Sequence, residues 1–113
     1  GYGRVIGKPF HMFLLARGFK NIVVADSATK DISALTKDAD IIVSGVGKAN
    51  LITTVKKGVR IIDAGASIYK GTLVGDVDMK KVRAKAAVLT PVPGGIGPLT
   101  VIHLFTNLIT AHH

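Results

Sequence analysis

At 113 residues with no cysteine, the chain has room for one small folded domain and no more, and it excludes disulfides, thiolate metal sites and thiol catalysis. Hydrophobic residues at 48% against 19% charged match a packed domain and exclude a disordered tail. The net charge of +8 favours phosphate-bearing or acidic partners: a dinucleotide, an anionic metabolite, a nucleic acid or an acidic protein face.

In chain order, "GYGRVIGKP" comes first, and Pro9 suits the first turn of a helix. Phe10, Phe13 and Leu14 share one face at helical spacing and Gly18 supplies a stop, which predicts a helix over about 8–17. "NIVVAD" (21–26) reads as a strand buried on both faces, "DISALTKDAD" as a short helical stretch, and "ADIIVSGVG" as a second buried strand. "LITTVKKG" predicts a weak helical turn stopped by Gly58, "VRIIDAGAS" a third strand, "VDMKKVRAKA" a basic helix and "AAVLT" a fourth strand. "PLTVIHLFTNLITA" predicts a helix from Pro98 that is apolar on most sides, so it should pack on something extensive, with a partner outside this chain. His103, Thr106 and Asn107 interrupt its apolar run below membrane-spanning length. The closing His112 and His113 read as a tag remnant, and the missing initiator methionine suggests a trimmed or processed start.

Strands alternating with helices predict an α/β fold of Rossmann type, a mostly parallel sheet with helices on both faces that lacks the strand before the glycine loop. Ligands of such sheets bind beyond the carboxyl ends of the strands. Those ends read "DSAT", "SGVGK", "DAGAS" and "TPVPGG", and their small residues let a ligand approach the backbone. Any one of them could be a tight turn; four in succession point to a site.

Gly1, Gly3 and Gly7 form a glycine loop one residue longer than the usual dinucleotide fingerprint, opening a helix whose free N–H groups suit a pyrophosphate. Asp26 follows at the end of the next strand, about 20 residues on, where a carboxylate can bond the adenosine ribose and repel a 2′-phosphate. The competing reading of Asp26 is a plain turn residue. Arg4 and Lys8 are phosphate partners by charge, while Ser27, Thr29 and Lys30 keep NADP open beside NAD. Neither His11 nor His103 has a metal-ligand partner at suitable spacing. Asp63 and Asp76 are the nearest acid–base candidates and read as carboxylates that brace loops.

The most specific stretch is "TPVPGGIGPLT" (90–100), whose prolines and glycines fix an irregular backbone that launches a helix. Together with "IGKP" at 6–9, "VGK" at 46–48 and "GDVD" at 75–78, it resembles the methylenetetrahydrofolate dehydrogenase/methenyltetrahydrofolate cyclohydrolase family, over essentially residues 1–110. The resemblance implies the NAD(P)-binding domain of that family (1–111), plus a closing helix that packs on an N-terminal folate and catalytic domain absent from this chain. It implies that Gly1, Gly3, Arg4, Val5, Ile6 and Gly7 lie along the pyrophosphate and that Asp26, Ser27 and Thr29 face the adenosine ribose. Val46, Gly47 and Lys48 would line the middle of the cofactor, and Gly65, Ala66 and Ser67 the nicotinamide. Pro93, Gly94, Gly95, Ile96, Gly97 and Pro98, with Thr100, would touch the nicotinamide and the folate side.

Tyr2-Gly3 stands where the family usually has Arg-Ser, and Asp26-Ser27-Ala28 where it usually has His-Ser-Arg or His-Ser-Lys; both changes favour NAD. "GAS" replaces the usual Gly-Ile-Asn. The family's catalytic Tyr-x-x-x-Lys has no equivalent here, so the chain should bind nucleotide without turning over folate, and no catalytic residue or metal ligand is assigned. The parent would oxidise 5,10-methylenetetrahydrofolate with NAD(P), its cyclohydrolase activity left open, as a homodimer in the cytoplasm or, in a eukaryote, the mitochondrial matrix. Two rivals remain: an adenosylhomocysteinase-like Rossmann domain, which shares "GYGRVIGK" but not "TPVPGGIGP", and a basic nucleic-acid module, disfavoured by 5% aromatics and scattered lysines.

Overall fold

A computed structural model describes residues 1–112; His113 lies outside them. The elements run α1 (Gly7–Ala16), α2 (Ile32–Thr36), β1 (Ile41–Ser44), β2 (Arg60–Asp63), β3 (Ser67–Tyr69), β4 (Thr72–Val74), α3 (Met79–Val82), β5 (Val88–Leu89) and α4 (Ile96–His112). Strands β1, β2 and β5 form a parallel sheet in the order β1-β2-β5, with Ile41 opposite Arg60 and Arg60 opposite Val88.

Local chemistry sets most boundaries. α1 ends where Gly18 takes φ 84°, with Gly18 N–H bonded to Leu15 O at 3.0 Å and Phe19 N–H to Leu14 O at 3.1 Å. That paired closure needs a left-handed residue, which glycine supplies without steric cost. Asp31 caps α2 by accepting from Ala34 N–H at 3.1 Å, and Asp78 caps α3 by accepting from Lys80 and Lys81 N–H at 3.1 and 3.3 Å.

The core lies against one face of the sheet: Ile42 and Ile61 pack with Ile52, Val55, Val59, Val77 and Val82. Side chains alternate across a strand, so the opposite face carries Ile41, Val43, Arg60 and Ile62, and this face stays partly open. Burying a Val or Ile side chain is worth about 1.5–3 kcal/mol, so these seven hold the sheet together.

Several expected elements take another form. "NIVVAD" joins no ladder; Val23 is 73% exposed, and no backbone hydrogen bond among the described residues fixes residues 21–25 to a neighbouring strand. Apolar run length predicts extension, whereas pairing needs a partner, and β1 is itself paired on one side only. "LITTVKKG" is not a helical turn: Ile52 makes a parallel bridge to Val77, donating to Asp76 O at 3.0 Å and accepting from Asp78 N–H at 2.9 Å. The i, i+3 spacing of Ile52 and Val55 fits a helix equally well, but here both side chains enter the core from an extended backbone. The basic helix shrinks to Met79–Val82, and α4 begins at Ile96, placing Pro98 inside its first turn.

The antiparallel hairpin of β3 and β4 is absent from the sequence reading. Its turn is Lys70-Gly71, with φ of 50° and 76°, the paired left-handed geometry that matches the twist of a two-residue hairpin. Alternation in "SIYKGTLV" around Lys70-Gly71 is the signal that could have found it. α4 has no buried side chain: Leu104, Phe105 and Leu108 are all more than 60% exposed.

Candidate functional site

The loops at the carboxyl ends of the parallel strands touch in sequence around one edge. A Cβ placed on Gly1 would stand 2.9 Å from Val46 Cγ2, and one on Gly45 would stand 2.8 Å from Ile6 Cδ1, so the 1–7 turn lies on the loop after β1. Gly47, at φ 81°, faces the Ala66 carbonyl of the loop after β2. The turn also crosses itself: a Cβ on Gly7 would fall 2.0 Å from Gly1 O, which only glycine permits. Gly3 differs, because a Cβ there would meet no protein atom within 4 Å.

Two buried carboxylates fasten these loops. Asp63, the last residue of β2, accepts from Gly65 N–H at 3.0 Å, Asp76 N–H at 3.1 Å and Val77 N–H at 3.0 Å. Asp76 accepts from the Ser44 hydroxyl at 2.6 Å and from the N–H groups of Val46, Gly47 and Lys48 at 2.8, 2.9 and 2.8 Å. Among the described residues no Lys or Arg pairs with either carboxylate; oriented N–H and O–H dipoles compensate the charge, through bonds stronger than neutral ones. Both therefore brace loops, as their sequence context suggested. "GDVD" is thereby accounted for residue by residue: Gly75 lets Asp63 approach, Asp76 holds the loop after β1, Val77 enters the core and Asp78 caps α3.

The 90–100 loop is anchored at its start, where Thr90 Oγ1 accepts from Asp63 N–H at 2.8 Å. Gly94 has φ 94°, and a Cβ on Gly95 would fall 2.2 Å from Pro91 O, so the reversal needs both glycines. Val92 lies beside Gly75, which ties this loop to "GDVD". Pro93, Gly94, Gly97, Pro98 and Thr100 are exposed, Gly95 and Ile96 half-buried. The Thr100 hydroxyl bonds back to Ile96 O at 3.2 Å, within its own helix.

Asp26 closes its own turn: Oδ1 accepts from Ala28 N–H at 2.9 Å, and its N–H donates to Thr29 Oγ1 at 3.0 Å. The turn reading is thus real, yet the exposed carboxylate keeps Oδ2 outside these bonds. Arg4 and Val5 are exposed at the glycine turn, as is Ser27 at the Asp26 turn. Tyr2 meets Lys8, whose Nζ lies 5.6 Å from the ring centroid, and its hydroxyl is 3.3 Å from His11 Nδ1. Ser67 Oγ is buried without a hydrogen-bond partner among the described residues. Such an orphan is uncommon in folded proteins.

A parallel sheet whose carboxyl-end loops are rich in glycine, beside a glycine turn at a helix N-terminus, defines a Rossmann-type nucleotide-binding domain. Over residues 1–113 the sequence matches the family model described as tetrahydrofolate dehydrogenase/cyclohydrolase, NAD(P)-binding domain, and the chain belongs to that family. It is 47% identical over 111 residues to bifunctional protein FolD 2 of Lactobacillus johnsonii, covering 96% of this chain and 39% of the relative. Bifunctional protein FolD of Cupriavidus necator is 46% identical over 114 residues, covering 98% of this chain and 40% of the relative. Among solved structures, the bifunctional FolD dehydrogenase/cyclohydrolase of Campylobacter jejuni superposes with a TM-score of 0.89 at 37% identity, over 97% of this chain and 40% of that one. The Trypanosoma brucei enzyme, solved with NADP cofactor and inhibitor, gives 0.85 at 38% identity over the same shares. The chain thus spans about two fifths of the length of these relatives.

The described residues hold no cluster of three metal-ligating side chains, and none of their helices is long and apolar enough to cross a membrane.

Proposed function

We propose that this chain is the dinucleotide-binding part of a one-carbon folate enzyme that oxidises 5,10-methylenetetrahydrofolate to the methenyl form with NAD(P), with cyclohydrolase activity in the whole protein. The observation that carries the reading is the convergence of the glycine turn and the 45–48 and 65–67 loops at one sheet edge, in a chain of this family. A bound dinucleotide supplies the hydride acceptor; the protein's part is to bind and orient it. Gly1, Gly3, Arg4, Val5, Ile6 and Gly7 take the pyrophosphate at the N-terminus of α1. The open space over Gly3 supports this, because packing gives no reason for a glycine there. Gly65, Ala66 and Ser67 take the nicotinamide, with the orphan Ser67 hydroxyl available to its carboxamide. Pro93 to Pro98 and Thr100 face the substrate side.

NAD is preferred over NADP in this reading. Asp26, Ser27 and Thr29 receive the adenosine ribose, and the exposed Asp26 carboxylate accepts from ribose hydroxyls while opposing a 2′-phosphate. Asp26→Ala is expected to narrow the NAD/NADP affinity ratio; an unchanged ratio would leave the carboxylate a turn residue only. A folate-binding domain elsewhere in the full-length protein covers the apolar surface of α4, and a further strand pairs with the free side of β1. Homodimers and a soluble location complete the proposal.

The test is titration of the folded chain with NAD, NADP and a short DNA duplex at two salt concentrations. Saturable one-to-one dinucleotide binding is expected, with duplex binding absent or lost steeply with salt. A folded chain that binds neither dinucleotide refutes the reading.

A further inference from the structure

The glycine loops and the two carboxylates have opposite electrical characters, and this decides how one of the loops can meet a ligand. Three successive backbone N–H groups converging on one point form a nest, the usual receptor for a phosphate oxygen. Val46, Gly47 and Lys48 make such a nest after β1, at the sheet edge where a dinucleotide would lie. All three N–H groups are already donated, at 2.8–2.9 Å, to the Asp76 carboxylate.

We propose that Asp76 is a positioning residue that fills this nest with an anion of the protein's own, fixing the shape of the 45–48 loop and steering the dinucleotide's phosphates away from it. This rests on the dinucleotide reading above. Its consequence is that the loop meets the cofactor through Cα surface, carbonyls and the Val46 side chain, leaving the pyrophosphate to the Gly1–Gly7 turn and the N-terminus of α1.

The surroundings of Asp76 are built for this arrangement. It is wholly buried, and its two oxygens are shared evenly: Oδ1 serves Gly47 and Lys48, Oδ2 serves Ser44 and Val46. Gly65 leaves the space the carboxylate occupies, because a Cβ there would fall 2.1 Å from Oδ1. The backbone of Asp76 is itself held by Asp63 Oδ1 through its N–H. An unbroken path of charge-assisted bonds therefore runs from the end of β2, through Asp63 and Asp76, to the loop after β1. A neutral amide in place of Asp76 would, in either orientation, turn its N–H groups toward at least one backbone N–H, itself a donor. A carboxylate satisfies all four.

The experiment uses the full-length protein carrying this chain, as wild type, Asp76→Ala and Ser44→Ala. Dinucleotide affinity is measured alongside the amide NMR resonances of Val46, Gly47 and Lys48, in formate and in chloride at equal ionic strength. Asp76→Ala should weaken dinucleotide binding at least tenfold and move the three resonances together. Formate, a carboxylate small enough for the vacated space, should restore most of both, and chloride should not. Wild-type binding in Asp76→Ala, or a folded variant that formate leaves unrestored, overturns the proposal. If Asp76→Ala does not fold, Ser44→Ala decides: it removes one donor to the same carboxylate and should weaken binding about threefold while shifting the same three amides, and unchanged values overturn the proposal. A wild-type protein that binds neither NAD nor NADP refutes the dinucleotide reading instead. The formate-dependent amide shifts then judge the filled nest on their own, and their absence overturns it.

Discussion

Replacing Gly65 by alanine inserts a methyl group where the Asp76 carboxylate stands. The added Cβ would sit 2.1 Å from Oδ1, 2.2 Å from Cγ and 2.5 Å from Oδ2, well inside contact distance for each atom. Asp76 cannot swing aside freely, because it is wholly buried and accepts four hydrogen bonds. Overpacking a tight interior costs about 1–3 kcal/mol. Displacing the carboxylate also weakens at least one bond to a charged acceptor, worth about 1.5–3 kcal/mol. The sum is about 2.5–6 kcal/mol, a large share of the roughly 5–15 kcal/mol by which folded domains are stable. Urea unfolding followed by circular dichroism reads this as a fall in midpoint at unchanged slope. Gly97→Ala is the matched control: its Cβ would meet nothing within 4 Å, and alanine favours the helix it sits in, so it should be neutral or slightly stabilising. If Gly65→Ala lies within about 0.5 kcal/mol of wild type, surface-like behaviour, the packing of Asp76 against Gly65 is wrong.

Other substitutions probe separate links. Gly3→Ala should leave stability within about 0.5 kcal/mol, since its Cβ meets open space, yet weaken dinucleotide binding about tenfold; equal binding would remove Gly3 from the site. Thr36→Val deletes the hydroxyl that donates to Thr54 O at 2.6 Å and holds the extended 52–55 segment, and chemical denaturation should show a loss of about 1–3 kcal/mol. The Asp40 carboxyl is held below its ordinary 3.8 by the Lys56 hydrogen bond first and then by the Lys56 charge, against desolvation, with the Arg60 charge adding least. A depressed carboxyl stabilises the fold above its unfolded value and loses that contribution as pH falls through its folded value. Lys56→Ala should raise the Asp40 titration midpoint toward 3.8 by NMR, with little change in stability at neutral pH because Asp40 is exposed.

The sequence alone determined what depends on neighbours close along the chain. Gly18 ends α1 and Pro-Gly punctuation sets the 90–100 loop, because backbone stereochemistry is local. The family was legible for the same reason, since its signature lies in contiguous stretches such as "TPVPGGIGPLT" and "GDVD". Tertiary structure decided which apolar runs find partners. "NIVVAD" and Ile41–Ser44 read alike as strands, yet only the second joins a ladder, since pairing depends on what lies alongside and not on composition. Tertiary structure also decided what each carboxylate does. Asp63, Asp76 and Asp78 are one residue type within sixteen positions, and only folding separates them. It brings Ser44 to Lys48 onto Asp76 across about thirty residues of chain, carries Asp63 to the backbone of 76 and 77, and leaves Asp78 to a local helix cap.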